Sequence, residues 1–328
     1  MKSKLPLGEF LATFSLVYLS QTALSSFELI GTQNDILTRR LATILAYGLA
    51  YSSAVLMTLD LSGGHLNPAY TFACASFGHM RWGRAIGYMT AQYVGSFLAA
   101  IFLHATFSDK LAQRHNEGLL NGMNSTLKAH GNILSTGKFF SSYPPTEVSL
   151  TQLFISYTLA TLMLTYLIEI VYKSTIIKVS HSLKPIYLAA AHCLIMATYS
   201  ANGGPVFNPA QDFSPRLYIY LFGWGSAAFN LYHFKYWWLC GILAPHFGAL
   251  IGMALYRVLE HLHKPHDVSY VEGVKSGTAV KHRQQSQSGL VQLSRQDSLT
   301  SHPPLHSHHY HTDYILPTPR IMANDNYG

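Results

Sequence analysis

Charge is scarce in this chain: Lys, Arg, Asp and Glu together make up 11% of 328 residues, against about 25% in ordinary soluble domains. With 49% hydrophobic residues, that scarcity excludes an ordinary soluble enzyme. Cysteine is also rare. Cys74, Cys193 and Cys240 all fall within apolar segments and have no metal-like spacing, which points to buried thiols without a disulfide or a structural metal. A Gly-rich phosphate loop and a nucleophile paired with a base are both missing, so catalysis, nucleotide coupling and a bound cofactor are not expected. The formal charge is +7, yet the basic residues are scattered at the edges of apolar runs. Without a basic stripe or an aromatic RNA-binding motif, nucleic acid is not an expected partner.

What the chain does have is long apolar runs. They extend from Leu7 to Phe27, Leu41 to Leu59, Ala85 to Thr106, Leu150 to Ile170, Ile186 to Ser200 and Tyr236 to Leu259, most of them near the roughly 20 residues that a membrane helix needs. An all-α, multi-pass protein embedded in a lipid bilayer is expected. Met1 to Gly8 leads straight into the first run without a small-residue cleavage pattern, so that run is read as a retained helix. Arg81 and Arg84, then Lys173, Lys178 and Lys184, then Arg257 and Lys264 mark the cytosolic side, because basic loops stay inside. Arg39 and Arg40 lie on the opposite side and weaken that rule. The Asn124-Ser125-Thr126 sequon in the connection between the third and fourth runs supports the same orientation, with Asn124 glycosylated outside and both termini cytosolic. The plasma membrane is the expected location.

Two copies of one tripeptide stand out, Asn67-Pro68-Ala69 and Asn208-Pro209-Ala210, each after a Gly-Gly pair and each opening a short apolar segment. Asn can cap a helix through its side-chain oxygen, and Pro suits the first turn, where an N–H would be orphaned. The Asn amide N–H group then remains free to donate. Two such helix starts brought nose to nose in a membrane would focus about +0.5 charge each on one point, favouring neutral solutes over cations.

The boxes are part of a duplication. Glu9 in the first run and Gln152 in the fourth precede their Asn-Pro-Ala by similar distances, and three spans per half make the two repeats, about residues 5–106 and 148–260, inverted. An acidic side chain in hydrocarbon is expensive, so Glu9 should face the interior and accept hydrogen bonds from a re-entrant loop, with Gln152 as its uncharged counterpart.

With the runs Ser62-Gly63-Gly64-His65-Leu66-Asn67-Pro68-Ala69, Thr90-Ala91-Gln92, Phe140-Ser141-Ser142-Tyr143-Pro144 and Asn208-Pro209-Ala210-Gln211-Asp212-Phe213-Ser214-Pro215-Arg216-Leu217, the chain resembles the aquaporin superfamily over roughly residues 5–260. Asp212 and Arg216 resemble its glycerol-conducting branch, the aquaglyceroporins. The resemblance implies a bundle of six transmembrane helices plus two half-helices in residues 1–263, a pore in each subunit of a homotetramer, and passive passage of water and small neutral solutes such as glycerol. It also implies a narrow ring outside the Asn pair, which carries over by spacing to Tyr47, Met196, Pro205 and Gln211. Tyr47 fits the aromatic role. Gln211 stands where the family carries Arg, and so offers neither a fixed charge nor a fork of donors, while Met196 and Pro205 add apolar wall. His65 looks like the family's cytosolic-side His, and His192, one turn from Met196, is a candidate for the pore wall.

From Lys264 to Gly328 Ser, Gln, His and Pro take over, and a disordered cytosolic tail is expected. Ser286 and Ser298 sit in basophilic kinase patterns, so a kinase or a scaffold is a candidate partner, and His302, His306, His308, His309 and His311 form a His-rich tract with weak zinc potential. Two rival readings are a low-selectivity ion-permeable channel, motivated by the missing Arg, and a non-conducting junctional protein, motivated by the apolar ring and the long tail.

Overall fold

The computed structural model describes residues 4–30, 36–121, 136–145, 147–174, 177–230, 232 and 234–263. Asn124, Ser286, Ser298 and the His-rich tract lie outside them. The order is α1 (Lys4–Ile30), α2 (Ile36–Thr58), the short α3 (Pro68–Ser76), α4 (Trp82–Asn121), α5 (Leu150–Lys173), α6 (Lys184–Thr198), the short α7 (Pro209–Ile219) and α8 (Tyr236–His263). Five of these helices are long and apolar enough to cross a membrane. The exception among the expected spans is α6, whose 15 residues reach only about 22 Å at about 1.5 Å per residue; single 3-10 turns at His181–Leu183 and Ser200–Asn202 lengthen it. Helix α4 runs well past its expected end at Thr106, through a kink at Phe107. Its polar continuation is rich in Lys, Gln, Arg and Glu, which are good helix formers without being apolar.

The exterior is apolar and the interior partly polar. Leu41, Leu45, Leu49 and Leu56 of α2 are more than half exposed, a stripe suited to lipid, whereas Glu9, Gln21, Gln92, Glu169 and Arg216 are buried. Helices α1 and α4 pack together as α5 and α8 do, α2 meets α6 at the centre, and each half-helix also touches the last long helix of the other half. That pattern is an inverted repeat.

Between helices in lipid, association rests on close backbone approach rather than on the hydrophobic effect. A Cβ at Gly95 of α4 would meet the Phe10 carbonyl oxygen at 2.5 Å, and in the other half a Cβ at Gly252 of α8 would overlap the Leu162 carbonyl oxygen. Both are helical glycines in contact with backbone that cannot step aside. Gly252→Val is therefore expected to force α5 and α8 apart, at a cost of about 1–3 kcal/mol or more, and to lower the melting temperature of the detergent-solubilised protein. Gly83→Val, where a Cβ meets nothing within 4 Å, is the matched control; equal melting of the two variants would contradict the close-packing account.

Candidate functional site

Both Asn-Pro-Ala boxes start helices as the residue types require. Asn67 and Asn208 are extended N-caps (φ −147° and −130°) whose side-chain oxygens accept from Ala69 N and Ala210 N at 2.9 and 3.1 Å. Each cap is reached through two left-handed glycines, Gly63 and Gly64 (φ +89° and +62°) and Gly203 and Gly204 (φ +86° and +85°), a conformation that only glycine adopts without steric cost. The two starts meet. Asn67 Nδ2 donates to the Phe207 carbonyl at 2.7 Å and Asn208 Nδ2 to the Leu66 carbonyl at 2.8 Å. One hydrogen of each amide is thus spent across the repeat, which leaves one N–H per Asn rather than the whole group.

The first loop hangs on Glu9. Its Oε1 accepts from Ser62 Oγ at 2.6 Å and His65 N at 3.0 Å, and its Oε2 accepts from Leu66 N and Gln92 Nε2, both at 2.8 Å. Leu66 itself is left-handed (φ +56°), a strained state for a residue with a Cβ, fixed by that hydrogen bond and its buried side chain. The expected counterpart fails: Gln152 is exposed at the start of α5, where Ser149 caps its backbone N–H. The inward position one turn and a half further on belongs to Tyr157, fully buried in one apolar cluster with Val206 of the second loop, with its hydroxyl 3.3 Å from Tyr236 Oη. The second loop is tied instead by Asn202 Nδ2 to Ser156 Oγ at 2.9 Å.

Asp212 and Arg216 form a buried pair on α7. The guanidinium donates to both Asp212 oxygens (3.2 and 2.9 Å), to the Ala228 carbonyl (2.8 Å) and to the Ser142 carbonyl (2.7 Å), and lies over the Tyr143 ring at 4.7 Å. Asp212 Oδ1 accepts from Ser142 N at 2.8 Å. The pair thereby clamps the Phe140–Tyr143 run onto the second half-helix. At the far end a third buried carboxylate, Glu169, accepts from Tyr70 Oη of α3 and from Lys173 Nζ, both at 2.8 Å. Lys173 Nζ also touches His79, whose other ring nitrogen lies 2.8 Å from Arg257 Nη2. Burial, and then the Lys173 ammonium, hold the His79 imidazole below its ordinary value, so it is neutral at pH 7.

Tyr47, Met196, Pro205 and Gln211 all line one cavity of about 400 Å³, which opens past Glu28, Arg40 and Lys138 and ends at Phe207 and Asn208. Gln211 does not reach freely across it: its Nε2 donates to Ser20 Oγ at 3.1 Å. Beside it Gln21, a lone Gln among the apolar residues of α1 and unnoticed in the sequence, donates to the Phe140 carbonyl at 2.6 Å and the Gln211 carbonyl at 3.3 Å. His192 does not line this cavity; it is buried, stacked on Tyr51, with Nδ1 3.2 Å from the Leu188 carbonyl. His65 is half-buried on the other side of the boxes, with Nδ1 3.2 Å from Thr71 Oγ1.

Known proteins are similar to this chain in sequence and fold. The family model described as Major intrinsic protein matches residues 2–256. Aquaporin-9 of Homo sapiens is 30% identical over 268 residues, 80% of this chain and 84% of that protein. Aquaporin-10 of Homo sapiens is 30% identical over 260 residues, 79% of this chain and 81% of that protein. The X-ray structure of the aquaglyceroporin from Plasmodium falciparum has the same fold, with a TM-score of 0.65 at 24% identity, covering 80% of this chain and 100% of that one.

Proposed function

This chain belongs to the major intrinsic protein family and is a passive transmembrane channel for water and small neutral solutes such as glycerol; we propose that solute passes from the cavity beneath Tyr47 to the paired Asn67 and Asn208. The observation that carries this reading is the crossed pair itself. Each Asn caps its half-helix and donates to the opposite loop, so two positive helix ends and two remaining amide N–H groups converge. Hydroxyl and amide oxygens of a neutral solute suit such donors, while a cation faces like charge. Swelling of liposomes containing the full chain in glycerol, urea and sucrose gradients tests it: glycerol and urea are expected to enter well above protein-free liposomes and sucrose is not. Entry of none of them, with water permeability at the lipid background, would overturn it.

Tyr47, Met196, Pro205 and Gln211 are proposed as the selectivity ring. Three of the four offer mostly apolar wall, and the fourth gives one of its amide hydrogens to Ser20, so few donors face the solute and, at this ring, a partly apolar polyol is less disfavoured than a dense file of water. The rest of the reading is a homotetramer of parallel pores in the plasma membrane, with both termini cytosolic, Asn124 glycosylated outside, and residues 264–328 as a cytosolic tail open to kinases or scaffolds.

Gln211→Arg is expected to change permeation most at this ring. The guanidinium adds a fixed charge, worth about 4 kcal/mol against a monovalent cation at 4 Å and an effective dielectric of 20, and adds bulk beside Tyr47. Any cation leak should fall, and the glycerol-to-water permeability ratio should drop on the order of tenfold, equivalent to ~1.4 kcal/mol. Stopped-flow permeabilities at equal protein density check this. Unchanged ratios would mean that residue 211 does not face the solute.

A further inference from the structure

The cavity reaches Asn208 but not Asn67, the other member of the crossed pair, and what stands beyond it is a pair of rings. Residues four apart on a helix share a face. The face of α2 that presents Tyr47 to the cavity therefore carries Tyr51 one turn further along, and the face of α6 that presents Met196 carries His192 one turn before it. Both steps lead away from the cavity mouth, where Arg40 and Thr43 precede Tyr47 on α2 and line the same cavity. The Tyr51 and His192 rings meet face to face, with centroids 3.6 Å apart and planes 24° from parallel, and both are almost fully buried, at 2% and 4% exposure.

The stack is fixed to the Asn pair on its other side. The His192 ring lies edge-on to Phe207, centroids 5.2 Å apart, and the Phe207 carbonyl is the group that receives Asn67 Nδ2. Phe207 and Asn208 form the inner end of the cavity, whereas Tyr51, His192 and Asn67 do not line it. Carbon atoms in contact sit about 3.5–4.0 Å apart, so rings at this separation touch and leave no gap for a water of about 1.4 Å radius. A solute that has passed the ring at Tyr47 and Gln211 comes beside Asn208, and the two touching faces lie past the cavity wall, packed through His192 on Phe207, whose carbonyl receives Asn67.

We propose that the Tyr51–His192 stack is a second, deeper constriction, closed in this conformation, and that it rather than the ring at Tyr47 and Gln211 sets the size cut-off for neutral solutes. The inference rests on the channel reading above. Passage requires the two rings to part, which suits small, flat or slender neutral solutes such as water and simple amides, and delays branched or longer polyols. Neither ring needs to change charge for this: the barrier is contact between faces, and the Nδ1–H of a neutral His192 is already engaged by the Leu188 carbonyl.

The test uses the full chain in liposomes, with His192→Ala and Tyr51→Leu on opposite helices, Tyr51→Phe as the variant that keeps the stack, and Asn208→Leu as the variant that damages the Asn pair. Melting in detergent shows which variants fold, and two variants on separate helices keep the test open if one does not. Opening the stack is expected to raise glycerol flux about tenfold and that of a four-carbon polyol by more, with a smaller rise for water, while Tyr51→Phe matches the native chain. If folded His192→Ala or Tyr51→Leu leaves all three fluxes and their ratios unchanged while Asn208→Leu abolishes them, the channel reading stands and the constriction does not. If the native chain and every variant stay at the lipid background, both fail together.

Discussion

Asn208→Leu should reduce water and glycerol flux by more than tenfold at matched protein density. The side chain does two jobs that a leucine of similar size cannot do. Its oxygen caps α7 through Ala210 N, and its nitrogen donates to the Leu66 carbonyl. Loss of the cap alone costs about 1 kcal/mol, while the Leu66 carbonyl, in the turn that carries the first box, loses its donor. The remaining N–H that would meet the solute disappears as well, and an apolar wall replaces it at the narrow part of the path. Asn67→Leu, which breaks the reciprocal bond to Phe207, is expected to have the same effect. Stopped-flow light scattering on liposomes of measured protein content checks both; a flux within twofold of the native value would remove the Asn pair from the conduction path.

A larger effect on stability is expected at Glu9. Its carboxylate takes four donors, two of them the backbone N–H groups of His65 and Leu66. In Glu9→Gln one oxygen becomes an NH2 group facing donors, so at least one buried N–H is left without an acceptor and meets another donor. Breaking a buried charged network of this kind costs about 3–5 kcal/mol, and the melting temperature in detergent should fall on the order of 10 °C. Tyr157→Phe, at the inward position of the second half, removes only a hydroxyl contact of 3.3 Å with Tyr236 and should cost about 1 kcal/mol. Comparable melting of the two variants would refute the unequal anchoring of the two loops.

That inequality also explains what was legible in the sequence. Asn67, Asn208, Glu9, Asp212 and Arg216 could be read because each is polar within an apolar run, where an unpaired group is expensive and must have a partner. Gln152 looked right by distance alone, but it falls at the exposed start of α5, and a Gln there costs nothing. Tyr157 was invisible because an aromatic in an apolar span carries no polar signal. Gln21 did carry one, and the rule that picked out Glu9 would have found it. Which rings touch could not be read at all: the stacking of Tyr51 on His192 depends on how α2 and α6 are rotated against each other, with Gly48 so close to Cys193 and Ala189 that a Cβ would overlap them. Gln211 lines the cavity, but its tether to Ser20 comes from a helix nearly two hundred residues away in sequence, which no local pattern reveals.

The crossed hydrogen bonds have a consequence for how the chain is made. The donor on Asn67 precedes its acceptor on Phe207 by 140 residues, and ribosomes add about 5–20 residues per second. The first half-helix is therefore complete roughly 7–28 seconds before the carbonyl that finishes its cap region has been synthesised. During that interval the membrane holds a half-built repeat with an unmatched amide, while Glu9, Gln92 and Ser62, all encoded earlier, already keep its loop in shape. The heavier anchoring falls on the half that must wait, and the later half, which finds its partner already in place, manages with a tyrosine and one neutral hydrogen bond from Asn202 to Ser156.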